Sequence, residues 1–228
     1  EQIEKDPENT LYARGSRIRL SSEKIRDHVL ASSGLLVQKT GGPSVKPYQP
    51  EGLWQEVVGG GGGSTAEYET DQGEKQYRRS LYTFWKRSAP PPSMMIFDTP
   101  NRDMCSVKRT VTSSPLQALV MLNDPQYVEA ARVMAEKYLV SQNDDIDKQL
   151  SSIFKSVIGR SIQLKELGTL KRFYWDEKDK FSKNPKKAVA YLKTGEKSIN
   201  RKTGVINTAA LATVISGLMN TAEAISIN

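Results

Sequence analysis

The residues with the widest chemical range lie in "YRRSLYTFWKRSAPPPSMMIFD", residues 77–98. Arg78, Arg79, Lys86 and Arg87 interleave with Tyr82, Phe84 and Trp85, and Asp98 closes the stretch. Cations alternating with rings can hold a phosphate backbone and stacked bases, at about 1–3 kcal/mol per base. The same cations with one carboxylate suit an anionic ligand such as a sulfated or uronic sugar, with Trp85 or Tyr82 stacked on its ring. Hydrolysis of a glycoside asks for two carboxylates at a set separation, and Asp98 with Asp103 or Asp124 is the pair on offer. Among so many cations Asp98 would stay ionised. A pocket built where the loops converge would draw on Lys46, Tyr48, Gln49, Arg78, Arg79, Tyr82, Trp85, Lys86, Arg87, Asp98, Arg109, Gln117, Asn123 and Asp124. The plainer reading is structural: Arg78 and Arg79 pair with Asp98 and helix ends, while Trp85 and Phe97 fill the core.

Much chemistry is excluded by count. One cysteine, Cys105, and one histidine, His28, allow no internal disulfide, no Cys/His zinc constellation and no C-x-x-C-H haem attachment. No cofactor is expected in this chain, and no spacing marks a metal site. Cys105 reads as a small buried hydrophobe. His28 shares a helical face with Ile25 and Val29 and reads as a partly buried side chain rather than a base.

The elements that must position these residues are mainly helical. "SSEKIRDHVLASSG" has a serine cap and Gly34 as its stop. Ser114-Pro115 and Asp124-Pro125 each place proline at the first helical position, where its missing amide costs nothing, so two helices meet at a corner around Asn123 and Asp124. Periodic apolar residues predict further helices over about 145–158, 163–182 and 208–225, with a short one from Pro185. "YRRSLYTFWKR" reads as an extended strand, with Leu81, Thr83 and Trp85 on one side and Tyr82, Phe84 and Lys86 on the other. The prolines after it read as a stiff connector. Gly59 to Gly63 read as a flexible tether, since no Gly-Lys-Ser/Thr follows to make a phosphate loop.

The expected fold is therefore a mainly α domain with a small extended element and long Pro/Gly-rich loops. Residues 1–58 give a helix and a Pro-rich loop, 59–74 a Gly-rich loop, 75–113 the basic-aromatic segment, and 114–228 a helical bundle. With 228 residues, 37% hydrophobic and 26% charged, the chain can bury a sizeable core. No apolar run approaches the roughly 20 residues of a membrane helix, so no membrane span is expected. The formal charge of +7 is concentrated: residues 165–202 hold 12 Lys/Arg against 5 Asp/Glu, and the remainder balances. A lysine-rich helix face usually faces water.

"GGPSVKPYQPEGLW", "YRRSLYTFWKR", "PPSMMIFD", "RTVTSSPLQALVMLNDPQYVEAAR" and "GRSIQLKEL" follow one another as in a known bacterial family. The chain resembles the C-terminal domain of unknown function of planctomycete-type cytochrome c domain proteins, the family numbered fifteen fifty-three among such domains. The resemblance implies an exported protein, periplasmic or on the cell surface, built of several domains and associated with polysaccharide use. It further implies that this chain starts partway into its domain, and that haem, if any, sits in an absent upstream module. It supplies no catalytic residues. The combined expectation is a non-catalytic binding or assembly domain whose partners are the upstream part of its own protein, other envelope proteins, or polysaccharide. The alternatives are part of an enzyme acting on anionic carbohydrate and, against an exported setting and an acidic flanking segment, nucleic-acid binding; no nucleic-acid partner is expected.

Overall fold

The computed structural model describes residues 2–13, 15, 18–54, 67–102, 104–141, 145–200 and 202–227. The glycine run 59–63, expected to be a tether, and Asp103 lie outside them. A short α1 (Gln2–Lys5) precedes β1 (Ile18–Arg19) and α2 (Ser22–Ser33). As its glycine foretold, α2 stops where Gly34 turns left-handed at φ 83° and its amide caps the last carbonyls. Then come α3 (Pro92–Ile96), α4 (Pro115–Asn123), α5 (Pro125–Ser141), α6 (Ile146–Ile158), α7 (Leu164–Lys183), α8 (Pro185–Leu192) and α9 (Val205–Met219). The fold is mainly α. Its small sheet is β1 paired antiparallel with β2 (Ser226–Ile227), Ile18 opposite Ile227.

The core is built around α9, which is apolar on every side: Ala209 to Ala212, Val214 and Ile215 are all fully buried. A helix apolar all round belongs inside, and α5, α7 and α8 pack about it. α2 in turn lies on α5, with Ile25, Val29 and Leu30 joining Met134, Leu150 and Ile153 in one continuous cluster. The last helix ends at Met219, short of the expected 225, where the amides of Thr221 and Ala224 close tight turns on Leu218 and Thr221. The chain then runs back to β1, the Ile225 carbonyl accepting the Leu20 amide. Among the described residues no helix is long and apolar enough to cross a membrane, in keeping with the sequence.

The basic-aromatic stretch is not a strand. It forms two 3₁₀ turns, Gly73–Tyr77 and Ser80–Tyr82, with single parallel bridges from Arg78 to Val37 and from Thr83 to Val45. Side chains of α2 explain the difference. Arg26 takes the carbonyls of Gln76 and Arg78, and Asp27 accepts from the amide of Ser80, so these backbone groups bind a helix instead of a neighbouring strand. Leu81, assigned to a strand face, points into water. The triple proline is not only a connector: Pro92 opens α3.

Candidate functional site

The arginines at the opening stretch serve its own fold. Arg78, 5% exposed, donates to the carbonyls of Lys39, Gly41 and Pro43 at 3.0, 2.5 and 3.1 Å, and its guanidinium lies 3.9 Å from the centre of the Tyr82 ring. Tyr82 returns the favour by accepting the Gly41 amide at 2.8 Å. Arg79 is exposed and faces Asp27 at 3.8 Å. Neither pairs with Asp98, contrary to the structural expectation. Beneath them, buried Arg26 also donates to Ser80 and to Gln126, at 3.2 and 2.7 Å.

Asp98 is held by a residue that the sequence reading passed over. Arg19 Nη2 is 2.6 Å from Asp98 Oδ2, and Thr112 donates its amide to Oδ2 and its hydroxyl to Oδ1 at 2.9 and 2.8 Å. Gln117 joins through the Ile96 carbonyl and Thr112. Burial alone would raise the Asp98 carboxyl, but the Thr112 and Arg19 bonds hold it below the usual range. They also explain its left-handed backbone at φ 62°, which a short polar residue tolerates after α3. Arg109 shares a groove of about 470 Å³ with Asp98, yet it grips Glu23 with both guanidinium nitrogens at 2.8 and 3.1 Å. Burial pushes Glu23 up, and Arg109 more than reverses this, to about 2.

Two further expectations are corrected in this region. Trp85 is half-buried, not core: it donates to the Asn101 carbonyl at 3.3 Å, and Arg102 stacks over it. Cys105 is exposed. The physical reason is shared, since the described residues from 101 to 111 lie on the surface and no second layer covers them. Phe97, by contrast, is in the core at 2% exposure. His28 is half-buried, with Nε2 at 2.9 Å from the Val157 carbonyl.

The remaining candidates disperse. Lys46 lies over Tyr68 and Phe84, and Lys86 over Trp54, so these lysines edge an aromatic group in which Trp54 and Tyr68 centre 5.0 Å apart. Gln49 is buried beside that group. Arg87 is exposed. Asn123 donates back to the Leu119 carbonyl, and Asp124 accepts the Gln126 amide at 2.9 Å, fixing the predicted corner between α4 and α5. Burial pushes Asp124 up to about 6, against the Gln126 bond and Arg26. The chemistry-bearing residues thus form several separate knots rather than one pocket.

Two surfaces escaped the sequence reading. On α4, Leu116, Leu119 and Leu122 stand 60, 54 and 40% exposed while Gln117 and Met121 face inward. Their i, i+3, i+6 spacing was visible in the sequence, but not which side of the helix the core would take. The second surface is a cleft of about 450 Å³ between the 70–76 segment, the start of α5 and the loop 194–196. Behind it Arg132, fully buried, binds Glu136 at 2.9 Å, Glu129 at 3.5 Å and the Lys197 carbonyl at 2.6 Å. The spacing Glu129-Arg132-Glu136 on one helix was the available signal. Glu129 Oε1 also accepts the Tyr77 hydroxyl and the Lys197 amide. Gly195 must be glycine: at φ 93° a Cβ would overlap the Glu129 side chain.

A family model described as Protein of unknown function (DUF1553) matches residues 1–174, and the chain belongs to that family. The match ends within α7, ahead of the central helix α9. No curated protein and no solved structure matches the chain.

Proposed function

We propose that this family member is a non-catalytic binding and assembly domain, placed at the C-terminus of an exported, cytochrome c-type multidomain protein concerned with polysaccharide use. The observation that carries the reading is the contrast between its polar and apolar surfaces. The residues best suited to chemistry are engaged by other groups of the chain: both oxygens of Asp98 accept bonds, Arg109 is bidentate to Glu23 at the surface, and Arg26 and Arg78 bind carbonyls. Meanwhile the leucine face of α4 stands in water, on a helix anchored by Gln117 and Met121. Burying such a side chain against a partner is worth about 1.5–3 kcal/mol. The partner assigned to it is the region that the family resemblance sets before residue 1, within the same polypeptide.

An enzyme on sulfated or uronic sugar would need Asp98 and Arg109 free to face a ligand. Their shared groove favours that reading, and their existing bonds oppose it.

The test is association with the preceding region of the same polypeptide, expressed separately and followed by size-exclusion chromatography and calorimetry. The wild-type chain binds it, and Leu119→Asp weakens binding at least tenfold with an unchanged melting temperature. Equal binding by Leu119→Asp, or none by the wild type, removes the α4 face from the proposal.

A further inference from the structure

We infer that the cleft between the 70–76 segment, the start of α5 and the loop 194–196 holds one unit of an uncharged, hydroxyl-rich ligand: a neutral sugar. This deepens the polysaccharide part of the proposed function and rests on it.

The volume, about 450 Å³, lies within the ordinary range of small-molecule sites. The character of the lining selects the ligand. Much of the lining is apolar and its polar groups are few. Gln72 brings an amide and Thr70 and Thr194 hydroxyls, which both donate and accept without charge, whereas the amides of Gln76 and Gln126 are engaged by Tyr48, the Asp71 carbonyl and Arg26. The charged groups on the lining are carboxylates, Glu129 and Glu196, and among the described residues no lysine or arginine joins them. A sulfate or uronate would therefore meet carboxylates rather than cations at the lining. Carboxylates accept well from sugar hydroxyls, and Arg132 behind Glu129 balances part of its charge. Tyr48, half-buried on the same lining, offers a ring to the C–H face of a pyranose.

The cleft is also built in advance. Gln76 Oε1 accepts the Tyr48 amide at 3.0 Å, and Gln126 Nε2 donates to the Tyr48 carbonyl at 3.4 Å. Glu196 Oε1 accepts the Gly73 amide at 2.6 Å, and Glu129 the Lys197 amide at 2.5 Å. Each of the three walls is thus bonded to another before any ligand arrives, which removes ordering cost from binding. The lining shares Tyr48 with the pocket expected for anionic sugar and abuts the cationic stretch at Gln76, but the charge it presents is that of carboxylates, which inverts that preference.

The experiment presents the whole chain to a glycan array holding neutral, sulfated and uronic oligosaccharides, with titration calorimetry on the best neutral one. Neutral oligosaccharides are retained, sulfated ones are not, and Tyr48→Ala and Gln72→Ala each lose at least tenfold in affinity. Gln72 is exposed, so its truncation leaves the fold intact, and both variants should keep the wild-type association through Leu119. Retention confined to sulfated or uronic glycans overturns the inference. Neutral binding that survives both substitutions moves sugar recognition elsewhere and overturns the cleft while the polysaccharide reading stands. Absence of any glycan binding overturns both, and leaves docking through α4 to its own assay.

Discussion

Arg78 and Lys187 both belong to basic stretches of the sequence, and the fold treats the two stretches oppositely. Around Arg78 the chain draws cations in: Arg78 crosses to loop carbonyls and packs on Tyr82, and Lys86 lies over Trp54, while Arg79 and Arg87 stay exposed. Around Lys187 they turn out: Lys186, Lys187, Lys193 and Lys197 are exposed and make no ion pair among the described residues. Lys180 reaches half-buried Glu177 and Lys183 reaches exposed Asp179, each about one turn away. The chemistry of the two side chains favours burial of Arg78 over that of Lys187, although Arg79 and Arg87 stay in water and Lys46 and Lys86 edge rings. A guanidinium presents a planar fork that satisfies several carbonyls at once and is weakly hydrated, whereas an ammonium is a compact, strongly hydrated charge. Local excess of positive charge therefore says little about where a partner binds until the type of cation is read with it.

The sharpest way to break this contrast is Arg26→Ala. It would leave the buried carbonyls of Gln76 and Arg78 and the Gln126 side chain without their donor. We expect a loss of about 3–5 kcal/mol in urea unfolding; a loss below about 1 kcal/mol would mean that the inward cations are ornamental. Next, Arg78→Lys keeps the charge and removes the fork. It should cost about 2 kcal/mol and speed hydrogen exchange in residues 39–43, which the guanidinium now ties down. Full retention of stability would reduce the contrast to charge alone.

Asp124, between buried Arg26 and the first turn of α5, sharpens the inward side through pH. Its folded-state carboxyl is raised to about 6, so folding favours the proton. The stability it contributes is complete below an ordinary carboxylate value near 3.9 and is lost as pH rises through 6. Glu23 has the opposite sign: lowered to about 2 in the folded state, it supports the fold above about 4.5 and fails as pH falls through 2. Urea midpoints should therefore rise as pH falls from 7 toward 5 and drop again in stronger acid. Asp124→Asn should flatten the upper limb, an effect on the order of 2 kcal/mol. The smallest change is expected outside. Lys186 and Lys187 occupy the first turn of α8, against the helix dipole, so replacing both by alanine should alter stability by less than about 0.5 kcal/mol, with a slight gain. A large loss in thermal melts would place those lysines in the same class as Arg78.

How far the sequence could be read follows the range of the interactions. Proline at the first position of α4 and α5, and glycine after α2 and α6, set helix ends through the backbone of a few neighbouring residues. The stretch from 77 to 87 misled because its aromatic content favours a strand only where another strand can pair with it. Here Arg26 and Asp27, about fifty residues earlier, take those backbone groups. Arg19 was missed as the partner of Asp98 for the same reason: 79 positions separate them. Exposure of Cys105 and half-burial of Trp85 depended on whether anything packs above residues 101–111, which no local pattern encodes.

By itself, then, the sequence determined the helical class, most helix ends, the corner at Asp124 and the family, because these rest on short-range backbone geometry and ordered motifs. Tertiary structure alone decided which cations lie inside, which face of α4 meets water, and that residues near 72, 126 and 195 share one cleft. Those outcomes depend on which distant group arrives to satisfy a donor or cover an apolar face, and a linear chain does not display that competition.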